Sequence, residues 1–272
     1  MSKNQKRTVI AVAIAAAAVF TVNYFRHNYV VPVLMYHSVK QEVPAGNRLI
    51  VSSAAFDRQM EFLKRNHYNV VPLEEVVRLV KGKQAVPART VVITFDDGYA
   101  DNYSVAFPVL KKYGIPATIF IIVNEVGRPG MLTWEQIRIM RDSGLISFGS
   151  HTLNHPYLVD VTSLEELKKE LIGSRRVLEE KLGRPVNTFC YPGGGFNQRV
   201  RQAVIDAGYT AAVASNPGKR FANDDLFALK RLRISENAAN LFVFWVESSG
   251  YYNLMRESKG KKKGKNKGKQ EY

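Results

Sequence analysis

TVVITFDDGYADNYSVAFPVLKKYGIPATIFIIV, residues 90–123, decides the fold. Thr90 to Phe95 is a run of β-branched and apolar residues, which predicts a buried strand. Asp101 to Tyr113 predicts a helix that stops at Gly114, and Ala117 to Val123 predicts a second buried strand. Strand, helix and strand in that order, with both strands apolar on both faces, imply a parallel pair with the helix outside.

The same alternation extends in both directions. Upstream, strands are expected at Val30 to Met35 and at Val70 and Val71, with helices over Phe56 to Arg65 and Leu73 to Val80. Downstream, Thr133 is placed to cap a helix ending near Gly144, and Ile146 to Ser150 reads as a strand. Ser163 and Glu166 have the spacing of a capping box, and the apolar face carried by Leu164, Leu167, Leu171, Leu178 and Leu182 runs to Gly183. Strands at Thr188 to Tyr191, Tyr209 to Ala214 and Leu232 to Ile234 follow, with helices over Asn197 to Ala207 and Leu241 to Val246. The whole pattern predicts an α/β fold, a parallel sheet or barrel with helices outside, as one domain over residues 30–255.

In such folds chemistry gathers where strands end. Asp96 and Asp97 follow the strand at Phe95, and Gly98 permits the chain to turn there. His151 follows Ser150, and His155 lies four residues further, with Pro156 arguing for a loop rather than a helix. One aspartate and two histidines are a ligand set for a divalent metal with open positions, and the other aspartate is left to accept a proton. Taken alone, the aspartate pair also fits a turn closing a strand, and the histidine pair also fits surface or packing roles. His37 lies two residues beyond Met35, at another strand end.

The ends of the chain differ in composition from its body. Lys3, Lys6 and Arg7 precede an apolar run from Thr8 to Val22, so residues 1–29 read as an export signal or membrane anchor. The length of the run favours an uncleaved anchor over a cleaved signal, and the basic residues put the body outside the membrane, secreted if the segment is cleaved. Residues 256–272, rich in Lys and free of large apolar residues before Tyr272, predict a disordered tail. Net charge is +15, but no aromatic residues interleave with the tail lysines, which argues against nucleic-acid binding. A single cysteine, Cys190, excludes an intramolecular disulfide and a cysteine cluster, and it reads as a small core residue.

Thr94-Phe95-Asp96-Asp97-Gly98 and Ser150-His151-Thr152-Leu153-Asn154-His155 resemble the first two signature motifs of the polysaccharide deacetylases, the NodB-homology domain of carbohydrate esterase family 4. The resemblance implies a distorted (β/α) barrel that hydrolyses N-acetyl groups of N-acetylglucosamine polymers. It implies Asp96 as the base and Asp97, His151 and His155 as ligands of zinc, with cobalt or nickel as alternatives. Phe189-Cys190-Tyr191-Pro192-Gly193-Gly194 is similar to the third motif, but without its arginine. By that match the Tyr191 N–H serves the oxyanion, and Pro192 and Gly193 to Gly195 let substrate approach closely. The family's late Leu-x-His is absent, since no histidine follows His155. Met35-Tyr36-His37-Ser38 resembles the opening of the poly-N-acetylglucosamine deacetylase branch, where an early histidine supplies the acid, and this implies His37 as general acid. Leu232 is a candidate for the acetyl pocket or an ordinary core residue; Trp134 is a candidate for sugar stacking or helix packing. Peptidoglycan, an O-acetylated polysaccharide, and a carbohydrate-binding role without turnover stay open as alternatives, as does oligomeric state.

Overall fold

The computed structural model describes residues 2–27, 29–215 and 225–252. Two compact units divide the chain, Val31–Ser249 being one and residues 1–30 with 250–272 the other.

In the smaller unit α1 (Lys3–His27) contains the apolar run. Among the described residues no helix is long and apolar enough to cross a membrane. The expected membrane span is therefore not borne out: the run from Thr8 to Val22 falls short of the about 20 apolar residues a span needs, and the basic residues Lys3, Lys6 and Arg7 lie in the same helix. The Lys-rich segment 256–272 lies outside the described residues.

Among its described residues the larger unit has ten strands: β1 (Val33–Tyr36), β2 (Ser38–Lys40), β3 (Ile50–Ser52), β4 (Asn69–Val70), β5 (Thr90–Phe95), β6 (Ala117–Ile121), β7 (Ile146–Ser150), β8 (Thr188–Cys190), β9 (Ala211–Ala214) and β10 (Leu229–Arg233). The main sheet runs β1-β10-β9-β8-β7-β6-β5-β4, and β1 also pairs with β5. Seven strands thus close into a barrel, with β4 attached outside it beside β5. Every ladder in this sheet is parallel, so all the strand carboxyl ends open on one face. β2 and β3 form a separate pair that the apolar pattern did not reveal, because each has only three residues.

Helices surround the barrel: α2 (Ser53–Arg65), α3 (Leu73–Lys81), α4 (Phe107–Tyr113), α5 (Trp134–Asp142), α6 (Leu164–Lys168), α7 (Ser174–Leu182), α8 (Gln198–Asp206) and α9 (Leu241–Ser248). Thr133 caps α5 in a full capping box with Gln136. Gly114 ends α4 and Gly183 ends α7, both in the left-handed region. Strand alternation divides the side chains into two layers. Leu34, Tyr36, Val91, Ile93 and Phe95 face outward into the hydrophobic cluster that includes Phe56, Met60 and Leu63 of α2. Tyr36, Phe56 and Phe95 form an aromatic triangle there, with centroids 5.3 to 5.8 Å apart. Their strand neighbours Val33, Met35, Val92 and Thr94 fill the barrel interior and are buried.

Two π-helical segments interrupt the surrounding helices, Asn102–Ala106 before α4 and Lys169–Gly173 between α6 and α7. The extra residue in each π turn re-aims the side chains that follow. Both segments carry buried polar residues, Asn102 and Glu170, which hydrogen-bond to strand-end loops.

Candidate active site

The register of β1 on β5 pairs Tyr36 with Phe95, so His37 and Asp96 emerge side by side. β7 and β8 pair Ser150 with Phe189, which brings His151 beside Cys190. Closure of the barrel through β10 brings Arg231 across to the same place. Residues from five strands thereby converge on one end.

Asp97, His151 and His155 form the cluster expected from the sequence. Asp97 Oδ1 lies 3.5 Å from His151 Nε2 and 3.8 Å from His155 Nε2, and the two imidazole nitrogens are 3.1 Å apart. Donors about 2.1 Å from one tetrahedral ion stand about 3.4 Å from each other, so this donor set fits a divalent metal such as zinc without rearrangement. His151 Nδ1 lies 2.8 Å from the Cys190 carbonyl, the outer hydrogen bond that orients the ring and turns Nε2 toward Asp97 and His155. Hydrogen bonding from His151 holds the Asp97 carboxyl below its ordinary range against the opposing effect of burial. Asp97, Thr152 and His155 all have positive φ, at 73°, 71° and 59°. Such backbone costs energy for non-glycine residues and persists where neighbours enforce it.

The enforcing neighbours are visible. Thr152 Oγ1 accepts the His155 N–H at 2.9 Å, and Ser150 Oγ accepts the Thr152 N–H. Glu170, from the π segment, accepts the Leu153 and Asn154 N–H groups at 2.9 and 3.0 Å and the Asn154 amide at 2.6 Å. One buried carboxylate therefore organises the loop that carries His155. A similar set holds the His37 turn: Asp101 accepts from Ser38 Oγ and the Val39 N–H, and the Asn102 amide donates to the His37 carbonyl.

Asp96 is buried, and Arg231 grips it in a bidentate pair at 2.6 and 2.7 Å. Burial opposes ionisation, yet the guanidinium charge and its hydrogen bonds hold the carboxyl far below its ordinary range. The sequence match had left this site without an arginine. The structure corrects that: a guanidinium is present but arrives from β10, 135 residues away in the chain. Arg231 also donates to the Thr94 hydroxyl and lies over the Phe120 ring inside the barrel. Cys190 is buried, as expected of a small core residue, but the core it joins is that of the site. Its sulfur is 3.0 Å from Arg231 Nη2 and 3.6 Å from Asp96 Oδ2.

His37 Nε2 lies 3.9 Å from Asp96 Oδ2, so the expected acid and base are neighbours in the site. Burial lowers the His37 pKa, while the Asp96 and Asp97 carboxylates pull it back up. Tyr99, which the sequence reading passed over, faces Asp97; burial and that carboxylate push its hydroxyl up to about 12, so it stays protonated as a donor.

The structure decides between the alternatives left open at Leu232 and Trp134 and changes the expectations for Tyr191 and the turn over residues 192–195. The Tyr191 N–H donates to the Val213 carbonyl at 3.2 Å and so continues the sheet ladder rather than serving an oxyanion. The Tyr191 side chain points outward, stacks on Phe196 and donates to the Phe227 carbonyl. Leu232 pairs in register with Leu34 and packs on the outer cluster, because its neighbour Arg231 takes the inward position. Trp134 opens α5 and packs against the same cluster, which fits the helix-packing role. Pro192 is buried at the start of a short turn, Pro192–Gly194, and the ring that closes on Gly193 and Gly195 is that of Tyr157.

Comparison with known proteins gives consistent matches. Residues 83–212 match the family model described as polysaccharide deacetylase. YxkH of Bacillus subtilis (strain 168), classed by name as a polysaccharide deacetylase, is 34% identical over 218 residues, covering 80% of this chain and 76% of that protein. The poly-β-1,6-N-acetyl-D-glucosamine N-deacetylase of Staphylococcus aureus (strain MSSA476) is 29% identical over 200 residues, 69% of each chain. Among solved structures, the Streptococcus pyogenes deacetylase PplD in complex with acetate superposes with a TM-score of 0.72 at 33% identity, covering 79% of this chain and 97% of that one. IcaB from Ammonifex degensii gives a TM-score of 0.70 at 28% identity, covering 80% and 97%.

Proposed function

The chain belongs to the polysaccharide deacetylases, and from that premise we propose that it hydrolyses N-acetyl groups of N-acetylglucosamine residues in a surface polysaccharide, releasing acetate. The observation that carries this reading is a buried carboxylate kept ionised by Arg231, one residue from a three-donor cluster of metal-binding geometry.

Asp97, His151 and His155 would hold the divalent metal, which when bound polarises the scissile carbonyl and makes a water more acidic. Zinc suits the nitrogen and oxygen donors, and cobalt or nickel are accepted by the same set. Asp96 Oδ2 faces the site and takes the proton of the attacking water. The Arg231 pair keeps that carboxylate charged in a buried setting, so it is ready to accept. His37 is the group placed to protonate the departing amine, a step the reaction needs because an amine anion does not leave. Asp101 and Asn102 fix the turn from which His37 projects.

Poly-β-1,6-N-acetylglucosamine is the preferred polymer, supported by the name of the Staphylococcus aureus relative and by the early histidine at position 37. Peptidoglycan is the second candidate. The basic residues before the apolar run support export of the body, a reading that cell fractionation with an epitope-tagged chain tests.

The decisive experiment is acetate release by the purified chain from β-1,6- and β-1,4-linked N-acetylglucosamine oligomers and from O-acetylated xylan. It is run after metal stripping and after reloading with zinc, cobalt or nickel. Metal-dependent release from the N-acetyl oligomers, abolished by Asp96→Asn, is the expected result. Release from the ester alone would replace the amide assignment, and no release with metal bound would favour a binding role.

A further inference from the structure

We propose that Tyr157 is the stacking platform of a sugar subsite adjoining the reacting residue. The inference rests on the deacetylase reading and adds a binding determinant to it.

Tyr157 is two residues beyond His155 and 50% exposed, so part of its ring is open to solvent beside the cluster. Its other side is firmly seated. A Cβ on Gly195 would meet the Tyr157 ring and hydroxyl at 2.3 to 2.4 Å, and one on Gly193 would meet the ring at 3.3 Å. The backbone at these two glycines therefore lies directly against the tyrosine. Gly194 between them presses on Ser215, and Phe196 beyond them is stacked on the buried Tyr191 at 4.6 Å. The glycine run is thus pinned on both sides and gives the ring a rigid floor. The run follows β8, whose Cys190 touches Asp96 and Arg231, so the platform stands at the rim of the site.

A β-linked glucosamine carries its hydroxyl and amide substituents equatorially and leaves a face of axial C–H bonds. Half-exposed aromatic rings with a polar tip suit that face, the ring taking the C–H bonds and the phenol reaching water or a hydroxyl. A platform beside the catalytic cluster, rather than within it, takes the neighbouring sugar of a chain. The substrate class is accordingly an oligomer or polymer, with rate rising as sugars are added.

The test uses the full chain loaded with zinc and N-acetylglucosamine oligomers from the disaccharide to the pentasaccharide. Both acetate release and direct binding of the pentasaccharide are measured. Tyr157→Ala is expected to lower kcat/KM on the pentasaccharide about tenfold, mainly through KM, with a smaller loss on the disaccharide. Tyr157→Phe, which keeps the ring, is expected to stay within about twofold of the parent. Gly195→Ala is the independent probe: φ of −90° accepts alanine, while the new methyl displaces the tyrosine ring. It should reproduce the loss, and adding it to Tyr157→Ala should cost nothing more. Unchanged length preference and unchanged pentasaccharide binding in Tyr157→Ala and Gly195→Ala would overturn the platform. If the parent chain binds the pentasaccharide without releasing acetate, the deacetylase reading falls, and about tenfold weaker binding by Tyr157→Ala still upholds the platform. A parent chain that neither binds nor hydrolyses oligomers would overturn both.

Discussion

Replacing Arg231 by Met tests the central electrostatic argument. The guanidinium and the Asp96 carboxylate meet through two bonds of 2.6 and 2.7 Å, with side chains 0% and 4% exposed. Removing the cation leaves a carboxylate with little water to replace it. Breaking a buried pair in this way costs about 3–5 kcal/mol, against a total stability on the order of 5–15 kcal/mol. The penalty has a sign in pH. In the parent chain the Asp96 pKa is depressed, so its stabilising contribution is full above the unfolded value of about 3.9 and is lost as pH falls toward the native value. In Arg231→Met burial is opposed only by the nearby His151 and His37, the carboxyl pKa rises, and the penalty is largest at neutral pH and shrinks in acid. Urea unfolding of the metal-free chains at pH 8 and pH 4 should therefore show a wide gap that narrows on acidification. Adding Asp96→Asn to Arg231→Met removes both charges and should recover most of the loss at pH 8. Acetate release by the single variant should fall about 10²- to 10⁴-fold, because a protonated Asp96 accepts no proton. A cost under about 1 kcal/mol at pH 8, or a double variant as unstable as the sum of the singles, would refute the argument.

Glu170→Ala leaves the Leu153 and Asn154 N–H groups without their acceptor, and metal affinity measured against a chromophoric chelator should drop about 10- to 100-fold; equal affinity would mean the His155 loop holds itself. Glu247 of α9 has a buried carboxyl oxygen, Oε2, without a hydrogen-bond partner, and burial pushes its pKa from 4.5 up to about 7. Because the folded state keeps this proton longer than the unfolded state, stability falls as pH rises from 4.5 through about 7, by about 3 kcal/mol in all. Glu247→Gln should flatten that decline and raise Tm at pH 8 by roughly 5–10 °C while changing little at pH 4; parallel Tm profiles for the two chains would remove the carboxyl as its source. His37→Ala should retain metal while kcat falls about 10²- to 10⁴-fold, and an unchanged rate would hand the acid role to another group.

The barrel and the cluster of Asp97, His151 and His155 were legible from sequence because both are written locally. Thr90 to Phe95 and Ala117 to Ile121 are apolar on both faces, as a strand buried between barrel interior and helices must be. Asp96, Asp97, His151 and His155 each sit within a few residues of a strand end, and parallel strands put all such ends on one face. The shortest elements were not legible: β2 and β3 have three residues each, too few to show a periodic apolar pattern. At the other extreme, a helix-like apolar run did not amount to a membrane span.

Sequence by itself determined most of the strand-and-helix order and placed His37, Asp96, Asp97, His151 and His155 at or just after strand ends. Only the tertiary structure supplied Arg231 to Asp96, because the contact exists only when β10 closes the ring against β1. The same closure decided by strand parity that Arg231 points inward and Leu232 outward. Pairing of β8 with β9 gave the Tyr191 N–H to Val213, and packing of the loops after β7 and β8 set Tyr157 on the glycines, contacts that no local pattern announces. Local patterns specify which groups a chain can offer, whereas long-range register specifies which of them meet.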